Sequence, residues 1–181
     1  MKTIAVSGTP GTGKTTISKK LALRLNYFYF DVNYFIAKNK LYEGYDRKRK
    51  TRVVDTAKLN KALIKEINTL TKKPINGKSN KKIPIKHKKL KKINGIIIDS
   101  HLSHYLPKKY VDLCIITKCG INELNKRLKK KGYGKNKIQE NLQAEIFGIC
   151  MSEAKERKQK VMAVDTTKGF NIDSIIRKIG V

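Results

Sequence analysis

A glycine-rich stretch near the amino terminus has the residue types and spacing that bind a phosphate chain. It reads Gly8-Thr-Pro-Gly-Thr-Gly-Lys-Thr15 and matches the pattern G-x-x-x-x-G-K-[ST]. Its glycines allow backbone conformations that a Cβ would block, so successive N–H groups can point at phosphate oxygens. We expect Lys14 to reach the β- and γ-phosphates of a nucleoside triphosphate and the Thr15 hydroxyl to bind Mg²⁺. The predicted phosphate site consists of Gly8, Pro10, Gly11, Thr12, Gly13, Lys14, Thr15 and Thr16.

The segments on either side of this loop favour a phosphate site over a chance glycine-rich turn. Residues 3–6 form a short apolar run suited to a buried parallel strand. Residues 15–25 carry apolar side chains at helical spacing, namely Ile17, Leu21, Ala22 and Leu25. The positive end of such a helix would face the phosphates. A strand, this loop and a helix in that order predict a nucleotide-binding P-loop.

A second acidic position completes the predicted nucleotide site. Residues 95–99 read Gly-Ile-Ile-Ile-Asp, a continuous apolar run that ends in a carboxylate. This pattern is typical of a central parallel strand with its acid at the ligand-binding edge of the sheet. We expect Asp99 to lie beside the P-loop strand and to hold Mg²⁺ together with Thr15. The structural alternative for Asp99 is a capping residue at the end of the strand.

His101 shares a predicted loop with Asp99, and its role stays open. It could orient water, contact the γ-phosphate or be satisfied by backbone groups. His101 and His104 could also form a metal pair, but no Cys or carboxylate cluster in the sequence completes a zinc site. A small GTPase is disfavoured, because Gly120 stands where the base-reading Asp of an N/T-K-x-D motif would follow Thr117.

A basic segment with glycines suggests a lid over the phosphates. Gly132 and Gly134 separate two predicted helices, residues 121–131 and 137–160. The first has Leu124 and Leu128 on the same side, and the second has the apolar stripe Ile138, Leu142, Ile146 and Ile149. Arg127 and Lys131 would then neutralise charge during phosphoryl transfer while closure excludes water. A solvated helix–turn–helix is the structural alternative.

The remaining elements alternate between strands and helices. Further strands are expected at residues 27–30, 111–117 and 161–164, and further helices at 56–70 and 170–179. Asp55 is expected to cap the helix at 56–70, which carries Leu59, Leu63, Ile67 and Leu70 on one face. Residues 39–54 show no clear period, so we interpret them as a polar excursion. Alternating elements predict an α/β fold: a P-loop three-layer α/β/α domain with a parallel five-stranded sheet. At 181 residues the chain is most simply a single domain.

Composition limits the class of partner without deciding it. The chain has 42 Lys plus Arg against 14 Asp plus Glu, a formal net charge of +28. Such a charge favours polyanions such as RNA, although a generally lysine-rich or heat-adapted composition would look the same. Residues 71–94 are lysine-rich and broken by prolines, which predicts a surface insertion. The three cysteines lack metal spacing and indicate reduced thiols in a cytoplasmic protein, with no membrane span or signal segment expected.

Four motifs in order resemble the CINAP-type adenylate kinases, isoenzyme six, of archaea and eukaryotic nuclei. They are the P-loop, Leu41-Tyr-Glu-Gly-Tyr-Asp46, Ile98-Asp-Ser-His101, and the stretch from Arg127 through Lys131-Gly-Tyr133 to Ala144-Glu-Ile-Phe147. The resemblance covers nearly the whole chain. It implies an adenylate kinase-like fold, Mg²⁺-dependent phosphoryl transfer from ATP to AMP, and slower ATP hydrolysis supported by His101.

The resemblance also implies a division of the domain and a set of partners. It implies a flap for the nucleoside monophosphate at residues 31–70 and a short lid at residues 127–141. It implies a small-subunit platform ribosomal protein and rRNA as partners in maturing the small ribosomal subunit. The lysine-rich insertion has no counterpart in the family pattern.

Two departures from the family pattern affect the predicted acceptor and lid residues. Lys131 replaces the usual lid arginine and lacks its planar fork for phosphate. Ala37 stands where relatives can carry an arginine, so Lys38 or Arg52 is expected to grip the acceptor. Asp31 and Asn33 follow the second strand at its ligand-binding end and are the other acceptor candidates, with helix capping equally open for Asp31.

Overall fold

The computed structural model describes residues 1–47, 51–72 and 94–180, and a parallel sheet of five strands organises them. The strands of this sheet are β1 (Lys2–Ser7), β2 (Phe28–Asp31), β5 (Gly95–Asp99), β6 (Leu113–Lys118) and β7 (Val161–Asp165). Their spatial order is β2-β5-β1-β6-β7, and every pairing is parallel. A separate antiparallel hairpin joins β3 (Gly44–Asp46) to β4 (Thr51–Val53).

Seven α-helices are described in these residue ranges, and they cover both faces of the sheet. They are α1 (Lys14–Leu25), α2 (Val32–Lys38), α3 (Thr56–Lys72), α4 (Ile121–Lys130), α5 (Lys135–Ile146), α6 (Ile149–Glu156) and α7 (Ile172–Ile179). Alternate strand residues face opposite sides, because side chains along a strand have a period of two. Thus Ile96 and Ile98 pack with α2, α3 and α6, whereas Ile97 packs with α1 and α7. The predicted three-layer α/β/α fold is confirmed.

The apolar periodicities of three helices were predicted correctly. Their core residues are buried at Ile17, Leu21 and Ala22 in α1, at Leu59, Leu63 and Ile67 in α3, and at Leu124 and Leu128 in α4. Asp55 caps α3, because its Oδ1 accepts hydrogen bonds from the N–H groups of Ala57 and Lys58. These predictions needed only local spacing and capping chemistry.

Two predictions about the elements were wrong. The expected single helix at residues 137–160 is two helices, because Gly148 takes a left-handed conformation with φ of 61° and breaks the chain direction. Ile146 and Ile149 do not continue the buried stripe, since they are 61% and 41% exposed. The stretch at 39–54 contains the antiparallel strands β3 and β4. These strands are short and mostly exposed, so they show no apolar period in the sequence.

Other expectations bear on the surface and the cysteines. Most of the predicted insertion at 71–94 lies outside the described residues. Cys114 and Cys119 are buried, Cys150 is half-buried, and all three are free thiols, as predicted. Within the described ranges, no helix is long and apolar enough to cross a membrane.

Candidate nucleotide-binding site

The P-loop connects β1 to α1, and its first glycine is required by a close approach of the backbone. Gly8 has φ of 135°, and a Cβ there would lie 2.4 Å from the carbonyl oxygen of Thr117. Thr117 closes the loop from β6: its hydroxyl donates to the Ser7 carbonyl at 3.1 Å and lies 2.6 Å from the Thr12 hydroxyl oxygen. The loop is therefore anchored on the neighbouring strand, and no other residue type fits at Gly8 without displacing it.

The start of α1 offers amide groups to an anion. The first helical hydrogen bond runs from the Ile17 N–H to the Gly13 carbonyl at 3.1 Å, and Gly13 provides no side-chain cap. The amides of Lys14, Thr15 and Thr16 precede this bond, and these are groups that a helix start leaves for an external acceptor. Thr15 and Thr16 are exposed, whereas Pro10, Gly11 and Gly13 are half-buried. This arrangement fits a phosphate chain.

Lys14 is held across the loop by backbone carbonyl groups. Its Nζ donates to the carbonyl oxygens of Gly8 at 2.8 Å and Thr9 at 2.9 Å. Desolvation among protein atoms lowers the pKa of Lys14 to about 8, although the negative charge of Asp99 acts in the opposite direction. The side chain therefore stays mostly protonated at pH 7, and its ammonium can exchange these carbonyls for phosphate oxygens.

Asp99 lies where the strand pattern placed it, at the carboxyl end of β5. The register pairs Asp99 with Val6 of β1 on one side and with Asp31 of β2 on the other. Its Oδ2 accepts a hydrogen bond from the Tyr29 hydroxyl at 2.8 Å, and the Thr15 hydroxyl is also a partner. Burial raises the pKa of Asp99, whereas the hydrogen bonds from Thr15 and Tyr29 act to lower it.

The donor atoms around Asp99 fit a hard cation. The Thr15 hydroxyl and the Asp99 carboxylate are in hydrogen-bond contact, so one Mg²⁺ could bind both oxygens. Within the described ranges, no group of three or more His, Cys, Asp or Glu side chains could hold a metal by itself. A cation at this position would therefore take most of its ligands from phosphate oxygens and water, which is how Mg²⁺ is usually held in kinases.

The two histidines after β5 have different environments. His101 is exposed, yet desolvation by the surrounding protein atoms, and then the charge of Lys14, lower its pKa to about 4. The lowered pKa bears on function, because it leaves the His101 ring neutral at pH 7. His104 is buried with both ring nitrogens engaged, by the Ser7 hydroxyl at 2.7 Å and by Glu153 Oε2 at 2.9 Å. The structure therefore does not assemble the two rings into a metal pair.

Arg127 lies in the last turn of α4, but it does not point towards the glycine turn of the predicted lid. Its guanidinium donates to the Thr166 hydroxyl at 3.0 Å and to the Thr166 carbonyl at 2.7 Å, and its Nε donates to Glu123 at 2.8 Å. Thr166 in turn contacts the P-loop, since its Oγ1 lies 2.9 Å from the Thr12 carbonyl oxygen. Lys131 directly follows α4 as its C-cap and is exposed, and its positive charge acts to lower the pKa of Lys14.

The predicted acceptor residues are spread along α2 and the hairpin. Asp31 caps α2, because its Oδ1 accepts from the Tyr34 N–H at 3.0 Å, which confirms the capping alternative. Asn33 and Lys38 are exposed in the first and last turns of α2. Arg52 lies on β4 with its guanidinium 4.8 Å from the centroid of the Tyr42 ring. The structure brings Asp31 beside Asp99 and leaves the other three on the exposed surface.

Sequence reasoning missed three contacts at or near the candidate site. Tyr29 orients Asp99, and the only available signal was its position two residues before Asp31 in an aromatic strand. Glu145 is buried against the P-loop, at a position where the stripe Ile138, Leu142 could have been continued by residue 145 instead of 146. The Ser7–His104–Glu153 chain joins three distant segments and left no local signal.

Comparisons with known proteins agree with this geometry. The family model described as AAA domain matches residues 4–148. The chain is 36% identical over 176 residues to a protein of Methanocaldococcus jannaschii named "putative adenylate kinase", covering 97% of this chain and 82% of that one. It is 34% identical over 164 residues to the protein of the same name from Methanosarcina acetivorans, covering 91% and 77% of the two chains.

Solved structures show the same fold at low sequence identity. A sugar kinase from Janibacter sp. HTCC2649 superposes with a TM-score of 0.60 at 14% identity, covering 99% of this chain and 92% of that one. Shikimate kinase from Acinetobacter baumannii superposes with a TM-score of 0.55 at 13% identity, covering 99% and 90%. Together, the sheet order, the P-loop and Asp99 define a P-loop kinase. The chain belongs to the archaeal adenylate kinase family represented by the two relatives above.

Proposed function

We propose that this protein transfers the γ-phosphoryl group of ATP to AMP, producing two molecules of ADP, and that it hydrolyses ATP more slowly without an acceptor. The observation that carries the proposal is that Lys14, Thr15 and Asp99 lie close together at the carboxyl edge of the sheet. The relatives named adenylate kinase support AMP as the acceptor, and a nucleoside monophosphate is the substrate class of that activity.

The residues of the site would act mainly by positioning and by charge. Lys14 and the amides at the start of α1 would hold the phosphate chain of ATP, since they present positive charge and N–H donors to one position. Tyr29 would fix the orientation of the Asp99 carboxylate. Mg²⁺, held by Thr15 and Asp99, would supply neutralisation of phosphate charge. His101, neutral and exposed, would contact water or the γ-phosphate.

The elements around the site would divide the two nucleotides between them. Residues 31–70 would form the acceptor flap, with Asp31, Asn33, Lys38 and Arg52 available to AMP. Residues 127–141 would form the lid, with Lys131 closing over the phosphates. Arg127 and the Thr166 backbone would flank the adenine of ATP, because the guanidinium and the 166–167 carbonyls meet there. Arg127 would thus contact the nucleotide from the base side as well as neutralise phosphate.

A second role is favoured by charge and by the resemblance to the CINAP-type family. The net charge of +28 suits a partner rich in phosphate. In this role, ATP binding and hydrolysis would switch the grip of the protein on a small-subunit ribosomal protein or rRNA during maturation of the subunit, in the cytoplasm. The two roles are compatible, because one nucleotide cycle can serve both.

A steady-state assay with ATP and Mg²⁺ separates the two roles. It follows ATP, ADP and diphosphate product together, with each nucleoside monophosphate in turn, and also with shikimate and with a sugar such as a hexose, since a shikimate kinase and a sugar kinase share this fold. We expect AMP to be phosphorylated at least about ten times faster than ATP is hydrolysed alone, at turnover numbers ordinary for kinases. Slow hydrolysis with no phosphorylated acceptor would contradict the kinase and favour the assembly role. Preference for shikimate or the hexose would contradict both.

A further inference from the structure

A buried carboxylate on the helix that follows the lid turn has no part in the proposed phosphate chemistry. Glu145 lies in the last turn of α5 and is only 9% exposed, whereas the apolar residues Ile146 and Phe147 that follow it are 61% and 69% exposed. The chain therefore buries the acid and leaves the hydrophobic side chains in water. Burying a carboxylate is costly unless its oxygens are hydrogen-bonded, so this inversion requires specific partners.

Each oxygen of Glu145 has a partner on a different segment. Oε2 accepts a hydrogen bond from the Thr9 hydroxyl at 2.5 Å, and Oε1 accepts one from the backbone N–H of Cys119 at 2.9 Å. Thr9 is 2% exposed and lies in the P-loop, and Cys119 is 4% exposed and lies between β6 and α4. One side chain thus joins the P-loop, the entrance to α4 and the end of α5.

Thr9 connects Glu145 to Lys14, because its hydroxyl contacts Glu145 and its backbone carbonyl contacts the Lys14 ammonium. The Thr9 carbonyl oxygen accepts from Lys14 Nζ at 2.9 Å and from the Thr12 hydroxyl at 2.8 Å. A hydrogen bond that fixes the Thr9 side chain therefore also fixes the carbonyl that holds Lys14. Charge-assisted hydrogen bonds of this kind are short and about twice as strong as neutral ones.

We propose that Glu145 is a positioning residue that couples the P-loop to the lid. It holds Thr9, and through Thr9 the loop that presents Lys14, while it fixes the two helices that flank residues 131–134. The inference rests on the proposed function, because it assumes that the phosphates of a nucleotide bind at the P-loop. The proposal adds a specific contact, Glu145 with Thr9, through which the position of α5 sets the affinity of the P-loop for ATP.

Substitutions of Thr9 and Glu145 can separate the loss of the hydrogen bond between them from the loss of the carboxylate charge. Thr9→Val removes the hydroxyl with little change of shape, and Thr9→Ser keeps it. Glu145→Ala removes both acceptors, while Glu145→Gln keeps one acceptor for the Cys119 N–H and places an amide donor against the Thr9 hydroxyl, which can accept. The Cys150 thiol also hydrogen-bonds to Thr9, so Cys150→Ala is the matched control for that contact.

The test measures the affinity for ATP and Mg²⁺ by direct titration, together with KM, kcat and the melting temperature of each variant. Because binding needs no acceptor, failure of AMP phosphorylation would not be confused with failure of the coupling. We expect Thr9→Val and Glu145→Ala each to weaken ATP binding by about ten- to a hundred-fold, the loss expected for one hydrogen bond to a charged group. Thr9→Ser should restore most of the affinity, and Cys150→Ala should change it by less than about twofold.

A second comparison tests the coupling itself. Lys131→Ala, measured alone and combined with Thr9→Val, forms a double-mutant cycle between the lid and the loop. We expect the combined loss in kcat/KM for ATP to be smaller than the product of the single losses, because the loop no longer responds to the lid. If the two losses in kcat/KM simply multiply, the coupling is overturned.

The melting temperatures provide another test. Thr9 and Glu145 variants that melt at lower temperature but bind ATP within about twofold of the parent would also overturn the proposal, since Glu145 would then act in stability alone. If alanine at position 145 unfolds the protein, Thr9→Val provides the comparison, because it removes the same hydrogen bond from the side of the P-loop.

Discussion

At the scale of single residues, the buried hydrogen-bond chain from Ser7 through His104 to Glu153 is the contact with the clearest dependence on pH. The Ser7 hydroxyl oxygen lies 2.7 Å from Nδ1 of His104, and Nε2 of the same ring lies 2.9 Å from Oε2 of Glu153. The other carboxylate oxygen of Glu153 accepts a hydrogen bond from the Tyr105 hydroxyl at 2.6 Å. Burial lowers the pKa of His104, although the hydrogen bond and charge of Glu153 act to raise it. The folded protein therefore holds His104 neutral below the ordinary histidine pKa of about 6.5.

This environment predicts a loss of stability in mild acid. As the pH falls below about 6.5, the unfolded chain binds a proton at His104 while the folded chain does not, so the free energy of unfolding decreases until the lowered pKa is reached. We expect His104→Gln to cost about 1–3 kcal/mol at pH 7.5, because it disturbs buried partners, and to flatten the slope below pH 6.5. Urea unfolding from pH 7.5 to 5 measures both effects.

The same measurement on His101→Gln separates stability at pH 7.5 from the slope below pH 6.5. The pKa of His101 is lowered to about 4, so its replacement should also flatten the slope, but it should cost little stability at pH 7.5 because the residue is exposed. A full parental slope in His104→Gln would show that its protonation does not differ between the folded and unfolded chains.

At the scale of elements, the break between α5 and α6 decides which side chains reach the P-loop. Gly148 has φ of 61°, and no atom of the residues that the structure describes lies within 4 Å of where its Cβ would be. A substitution there is therefore strained by the backbone alone and not by a clash. This break lets α5 bury Glu145 while α6 directs Glu153 to His104.

Replacing Gly148 should test the break without disturbing a contact. We expect Gly148→Ala to lower the free energy of unfolding by about 1 kcal/mol, the usual cost of a left-handed conformation for a residue with a Cβ. Gly44→Ala is the matched control, because Gly44 also has open space around its Cβ position and has no positive φ. Equal effects of the two variants, measured by thermal unfolding, would contradict the assigned strain.

Much of the fold could be predicted at this scale, and the exceptions have a common cause. The five strands and the buried faces of α1, α3 and α4 followed from local periodicity. The strands of the β3–β4 hairpin are three residues each and expose most of their side chains, so no apolar period marks them. Periodicity also failed at the end of α5, because the P-loop offers Glu145 a hydrogen-bond partner that outweighs the preference for burying Ile146.

At the scale of the whole molecule, positive charge is the dominant feature. A net charge of +28 raises the local concentration of any polyanion and makes its binding depend steeply on salt. The lysine-rich segment within residues 71–94 contributes to this charge, and most of it lies outside the described residues.

The contribution of that segment to RNA binding can be measured as a salt slope. Binding to single-stranded RNA is titrated from about 50 to 200 mM salt for the full chain and for a variant that lacks residues 72–92. If the segment binds phosphates, its removal should flatten the plot of log K against log salt by about 0.7 for each phosphate that the shortened chain no longer neutralises. An unchanged slope would contradict an RNA role for the segment, and retained ATP affinity would confirm that the variant is folded.

The sequence by itself determined which residues form the candidate nucleotide site, because the P-loop, the helix start and Asp99 at a strand end depend on short-range spacing. The parallel sheet followed from the same local patterns and placed Asp99 beside β1 through strand register. Only the tertiary structure decided which distant side chains support the site. Thr9 and Glu145 are 136 residues apart, Ser7 and His104 are 97 apart, and Arg127 and Thr166 are 39 apart. Such contacts arise when strand order and helix packing bring remote segments together, so no local pattern encodes them.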